Sequence, residues 1–162
     1  MMTVPFRNRR TLFMLAVSAV LAVVSILAIT RFGPADPEFT ELRDRADTFF
    51  RAIGLAQYDE TFALLDSGWQ QQLGSEQVFL SIATASGVLP ESYRFDGTVK
   101  ACEAGGAQFR ILPGTARVAA RDMTMAVYFH REVGQWRVRG IGLDEGVLGV
   151  PLPEGCAVVD AE

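Results

Sequence analysis

Histidine, lysine and cysteine are nearly missing from this chain. His130 and Lys100 stand alone, and Cys102 and Cys156 are the two cysteines among 162 residues. The scarcity closes several classes of chemistry. A zinc site of cysteine and histidine ligands takes four partners, and a fourth is lacking here. The cysteines lie far apart and form no Cys-x-x-Cys pair, so a paired redox centre has no basis. Gly105-Gly106 has neither the following lysine nor the helix that a phosphate-cradling loop requires. Ser67-Gly68 and Ser86-Gly87 lack the strand–turn–helix setting of a nucleophile elbow. No cofactor and no metal are expected.

Acidic residues are absent before Asp36, and this absence is the most informative. Within that region, residues 11–30 read TLFMLAVSAVLAVVSILAIT, with no charge, proline or glycine. At a helical rise of ~1.5 Å per residue the run spans about 30 Å, the thickness of a bilayer's hydrocarbon core. It is longer than the apolar region of a signal peptide, and its end at Ala28-Ile29-Thr30-Arg31 is a poor cleavage site. No cysteine lies near that end, which excludes a lipoprotein. A buried core helix would carry some polar face, and this stretch has none. It is read as a membrane anchor. Arg7, Arg9 and Arg10 precede it and Arg31 alone follows, so the positive-inside rule keeps residues 1–10 in the cytoplasm and exports everything after residue 30. The strong preference for arginine over lysine fits a GC-rich bacterial genome, which makes the expected location the bacterial inner membrane with a periplasmic domain.

Taking Arg7, Arg9, Arg10 and Arg31 from the fifteen basic residues leaves eleven against nineteen acids, a net charge of −8 for the rest. Such a domain repels nucleic acid and acidic lipid headgroups, so nucleic acid is not an expected partner. About 130 residues remain after the anchor, enough for one domain with a core. Residues 31–36 form a short linker and 37–143 the domain, with 144–162 as a Gly-, Pro- and acid-rich tail. Its stretch 147–152 is expected to cover a sheet edge, and its last residues to be loose.

Inside the domain the apolar period changes once. Asp36-Pro37-Glu38 is a helix start, and Phe39, Leu42, Ala46, Phe49, Phe50 and Ile53 recur at spacings of three and four. A second helix is expected over 58–66, burying Phe62 and Leu65, followed by a turn-like bridge over 69–73. Ser75 caps a third helix with Phe79, Ile82 and Ala83 inward, stopped by Gly87 and Pro90. From Ser92 the period becomes 2. Strands are expected over 93–102 and 108–112, with Pro113-Gly114 after them and the division of 115–121 left open. The clearest element is a hairpin over 123–143 around Val133-Gly134. Pairing Phe129 with Val138 places Met123, Met125, Val127, Phe129, Trp136 and Val138 on one face. Tyr128, His130, Arg137 and Arg139 then lie on the other, and a one-residue slip would set Phe129 against Arg137.

The helical stretch FFRAIGLAQYDETFALLDSGWQQQL and the hairpin end GQWRVRGI resemble the nuclear transport factor 2-like superfamily over residues 37–143. The resemblance implies an α+β fold, with three N-terminal helices packed on a curved, cone-like antiparallel sheet. Members of that superfamily include ketosteroid isomerase-like enzymes, ligand-binding domains and singly anchored periplasmic domains. The layout here is similar to the last group. Both pieces are packing signatures rather than catalytic motifs.

Three sets of residues carry the functional expectations. Tyr128, His130, Arg137 and Arg139, on an open sheet face, have the composition of a protein interface, through which the chain would form a homodimer or meet other envelope proteins. Exposed arginines that merely cover a strand surface are the plain alternative. Met123, Met125, Phe129 and Trp136 either line a hydrophobic pocket or fill the core. An isomerase-like alternative would need a carboxylate base, with Asp59, Asp66 and Asp122 as candidates and Tyr58 and Tyr93 as donors. His130, on the open side beside Arg137, is read as a surface or interface residue and not as a base. Cys102 and Cys156 form either one disulfide in an oxidising compartment or two free thiols. The function expected is a non-enzymatic assembly or accessory module held at the membrane by residues 11–30.

Overall fold

The computed structural model describes residues 36–85, 90–144 and 146–161. The expected anchor over 11–30 lies outside them. Among the described residues no helix is long and apolar enough to cross a membrane. The described part is α+β, with four helices mostly preceding an antiparallel sheet.

Helix α1 (Pro37–Gly54) buries Leu42, Ala46, Phe49, Phe50 and Ile53, the stripe expected from the sequence. Proline at the first position suits it, and Glu38 and Arg51 complement the two ends of its dipole. Helix α2 (Tyr58–Leu64) ends two residues earlier than its apolar pattern suggests. Leu65 and Asp66 are extended, with ψ of 153° and 160°. The stretch expected as a bridge is instead helix α3 (Ser67–Leu73), capped by the Asp66 side chain and closed by Gly74 at φ 70°. Helix α4 (Glu76–Ala85) follows. Trp69 of α3 is 2% exposed and stands 6.2 Å from both Phe49 and Phe79, so the missed helix carries a core residue.

The sheet runs β6-β5-β4-β3-β2-β7, with β1 also paired to β3. Its strands are β1 (Ser92–Phe95), β2 (Lys100–Ala104), β3 (Ala107–Val118), β4 (Arg121–Glu132), β5 (Gln135–Leu143), β6 (Gly146–Gly149) and β7 (Val159–Asp160). The single strand expected over 93–102 is therefore two, split around Gly97 at φ 92°. Both halves pair with β3, β2 along its first part and β1 along its second. Strand β3 passes straight through Pro113-Gly114. The Pro113 carbonyl accepts from the Asp96 N–H at 3.2 Å, so the missing proline N–H faces the β1 side and no bond to β4 is lost. A Cβ on Gly114 would run into the Arg94 carbonyl, so only glycine lets β1 approach there. Ala119 and Ala120, both at positive φ, make the turn into β4, and two alanines carry no turn signature.

The hairpin of β4 and β5 has the expected register: Glu132 faces Gln135, Arg131 faces Trp136, His130 faces Arg137 and Phe129 faces Val138. Beyond that the register shifts, so that Tyr128 faces Gly140 and Arg139 is the extra residue of a β-bulge. The shift restores the core phase, because Val127 then faces Ile141 and Met125 faces Leu143. The core is one cluster in which Leu42, Phe49, Trp69 and Phe79 of the helices meet Leu112, Val127, Phe129 and Val138 of the sheet.

The described tail residues are tied to the sheet at two places. Strand β6 covers the β5 edge, as expected, and β7 pairs with β2 at the opposite edge. Five strand spacings of ~4.8 Å separate the two, and residues 150–158 cover that distance with one turn, closed by the Cys156 N–H donating to the Pro153 carbonyl at 3.2 Å. This strap crosses the sheet on the face away from the helices. The Arg139 Nε–H donates to the Pro151 carbonyl at 3.1 Å, and Cys156 is disulfide-bonded to Cys102, with Cα atoms 5.5 Å apart.

Val133 is a β-branched residue at φ 49° in the hairpin turn, fully exposed, followed by Gly134 at φ 77°. Asparagine tolerates that conformation far better than valine. The substitution Val133→Asn is expected to stabilise the protein by about 1 kcal/mol, read as a higher urea midpoint with unchanged slope.

Candidate functional site

The described residues converge chemically at the junction of α2 and α3. Leu65 forms a parallel bridge to Val138, and the Asp66 N–H donates to the Val138 carbonyl at 2.8 Å. The dipeptide thus lies along the β5 edge that β6 leaves uncovered, and it turns the Asp66 carboxylate toward the face bearing His130 and Arg139. That carboxylate is 0% exposed. One oxygen accepts from the Trp69 N–H at 2.8 Å, capping α3. The other accepts from Arg139 Nη1 at 2.8 Å.

His130 Nδ1 stands 3.3 Å from Asp66 Oδ2 and 3.2 Å from Glu132 Oε1. Glu132 in turn accepts from the Ser67 N–H at 3.1 Å and the Ser67 hydroxyl at 2.6 Å. Phe109 forms the floor. The His130 ring stacks on it at 4.9 Å, and the Arg139 guanidinium lies over it at 5.2 Å. A Cβ on Gly68 would stand in ordinary contact, 3.5 Å from Arg139 Nη1, so the network does not demand glycine there.

Donor atoms of Asp66, His130 and Glu132 lie within 4.8 Å of one another, the spacing a metal would need. The charges argue otherwise. The Asp66 oxygen that faces His130 already carries a fixed guanidinium, and Arg137 stands opposite His130 across the strands. A divalent ion placed there would sit against two cations. As a general base Asp66 fares no better. It has no solvent access, and both of its oxygens are already engaged, one by a backbone N–H and the other by an arginine. The cluster is a closed charge network whose work is to join α3, β4 and β5.

No family model, curated protein or solved structure matches this chain. Geometry alone therefore sorts the candidates.

Of the four residues expected on an open face, His130 and Arg139 belong to the network, with side chains 20% and 15% exposed. Arg137 donates to the Ala63 carbonyl, and Tyr128 lies against Gly142. The four do share a face, but the strap crosses it and the Asp66 segment flanks it, so the expectation of an open face is corrected. Met125, Phe129 and Trp136 are core residues at 3%, 0% and 4% exposure, and Met123 packs at the fringe of the same cluster. The core alternative holds for them. Asp59 is exposed, and the Asp122 side chain is 82% exposed beside Arg117. Cys102 and Cys156 are bridged, which resolves the choice left open by the sequence.

Sequence reasoning missed Glu132, Ser67 and Phe109, and it underrated Asp66. One signal was available. Trp136, Val138, Ile141 and Leu143 are spaced two, three and two, and the central three marks the bulge that frees Arg139 to turn toward Asp66.

A second polar feature lies where β1 meets α1. Tyr93 packs 4.7 Å from Phe50 and 5.3 Å from Phe95, at the edge of a surface groove of about 230 Å³ shared with Arg43, Asp47 and Arg94. Burial, and then the negative Asp47 carboxylate with its hydrogen bond, push the Tyr93 phenol up from 10.0 to about 12. The fold favours the neutral phenol, so this contribution to stability is present below pH 10 and is lost as pH rises through about 12. Of the three tyrosines, the one whose phenolate absorbance emerges near pH 12 should vanish from the titration in Tyr93→Phe.

The network makes a sharper prediction. Asp66→Ala leaves the half-buried Arg139 without its carboxylate and removes the cap, and it should cost about 3 kcal/mol. Asp66→Asn keeps a capping oxygen and should recover about 1 kcal/mol of that loss. Urea midpoints of the two variants measure both terms, and equal losses would show that the cap contributes nothing.

Proposed function

We propose that this chain is a single-pass membrane protein, cytoplasmic at its N-terminus, whose α+β domain works outside the cytoplasm as a non-enzymatic protein-contact module of the bacterial envelope. The observation that carries the reading is the Cys102–Cys156 disulfide, which belongs to an oxidising compartment and agrees with the arginine asymmetry around residues 11–30. The finer likeness to the nuclear transport factor 2-like superfamily, with its concave sheet, belongs to the same reading. The element order of helices followed by an antiparallel sheet supports it.

The non-enzymatic character rests on the closure of Asp66, the one fully buried carboxylate among the described residues. Asp66 is held by Arg139, Trp69 and His130, and holds structure rather than substrate. The contact surface is the sheet face bearing Tyr128, Arg137 and the strap, where half-buried arginine and tyrosine supply the chemistry common at interfaces. Its partner is a second copy or another envelope protein.

A phosphatase reporter that folds only in an oxidising compartment, fused after Glu162, should be active in intact cells. Activity confined to a leaderless control would overturn the topology. A photo-crosslinking residue at position 137 should capture protein in intact membranes, and labelling of lipid alone would overturn the contact reading.

A further inference from the structure

We propose that the strap is a redox-gated cover of the sheet face, anchored at both ends and latched once between them, close to β7, by the Cys102–Cys156 bond. The idea deepens the envelope reading above, since it names how that same face is regulated.

The ends are held independently of the disulfide. At one end the Val150 N–H donates to the Arg139 carbonyl at 2.9 Å, and Leu148 and Val150 pack on the main core. At the other the Ala161 N–H donates to the Val99 carbonyl at 2.9 Å, and Ala161 packs on the same core. Between Pro151 and β7 the hydrogen bond of the Cys156 N–H goes to Pro153, within the strap itself. Among the described residues, the disulfide is the one covalent or backbone hydrogen-bonded tie to the sheet between Pro151 and β7, with Leu152 and Pro153 half-buried beside it.

What lies beneath is separate from the main core. Cys102, Phe109 and Ile111 are buried at 2%, 3% and 8% exposure, yet none belongs to the central hydrophobic cluster. Cys102 faces Phe109 across the strands, and Phe109 faces His130, so lifting the strap uncovers an apolar floor beside the His130–Arg139 network. The core under the helices keeps all its contacts. Release is therefore local.

The two sulfurs are unequal. Cys102 is buried and Cys156 is half-buried, so an incoming thiolate reaches the sulfur on the strap. One thiolate of a dithiol attacks Cys156 Sγ, forms a mixed disulfide there, and expels Cys102 as a thiolate that takes a proton from water. The second thiol attacks its partner's sulfur, releasing Cys156 and leaving the dithiol as a disulfide. Two electrons pass to the cysteine pair, and the reductant is a dithiol of the same compartment.

Hydrogen exchange of the full chain in detergent, with and without dithiothreitol, tests this. Reduction should speed exchange of the Cys156 amide, which is hydrogen-bonded within the strap, at least tenfold. Protection in α1, β4 and the Ala161 amide should be unchanged. Cys156→Ser, without reductant, should reproduce the pattern. Unchanged exchange in the strap after complete thiol reduction would overturn the latch. So would loss of protection throughout, which would make the bond a staple of the whole fold. Because the readout is local exchange in the purified chain, it can fail while the reporter and crosslinking results stand, and the reverse.

Discussion

A carboxylate with no access to water must be answered by the protein, and the answer to Asp66 organises the domain's polar half. An unpaired buried anion would cost several kcal/mol. The side chain is answered from three directions: a helix N-terminus through Trp69, a guanidinium through Arg139, and an imidazole through His130. Each donor lies on a different element, so the elements are tied in one arrangement. The pair's net worth against a hydrophobic substitute is small by general experience. Its value here is specificity, since any other seating of α3 on the sheet leaves charges stranded.

That constraint explains local departures from pattern that otherwise look arbitrary. Helix α2 stops at Leu64 because Leu65 and Asp66 must be extended to reach the β5 edge. Strand β5 bulges at Arg139, the residue whose guanidinium meets Asp66 over Phe109. Gly149, at φ 103°, fits where a Cβ would press against the Arg139 carbonyl at 2.8 Å. The strap then uses the other side of the same arginine, through the Pro151 carbonyl. Arg139 is thus the point where helix junction, sheet and tail meet.

The consequence for function is a change in what the charged face means. Tyrosine, histidine and two arginines on a bare strand surface suggest a partner. With the strap across them and Asp66 among them, the domain supplies much of that partner itself. On the proposed reading, what remains for another protein is the strap, its rim and the floor that its release would uncover.

The sequence by itself determined the elements whose signal is local and repeated. The α1 stripe of Leu42, Ala46, Phe49 and Ile53, the register of the β4–β5 hairpin and the change of period near Ser92 were all legible. Each rests on many residues agreeing on one face, and a wrong phase would expose them all. The tertiary structure decided what depends on single residues meeting across the fold. Seven-residue α3 has too few apolar positions to show a period, and its cap matters because Asp66 also finds Arg139, 73 residues away. The alanine turn at Ala119-Ala120, the split of one apparent strand into β1 and β2, and the path of the tail are set by pairing with β3 and by a bond spanning 54 residues. Periodicity records which side of an element is buried; it carries no record of which distant charge or sulfur a residue will meet there.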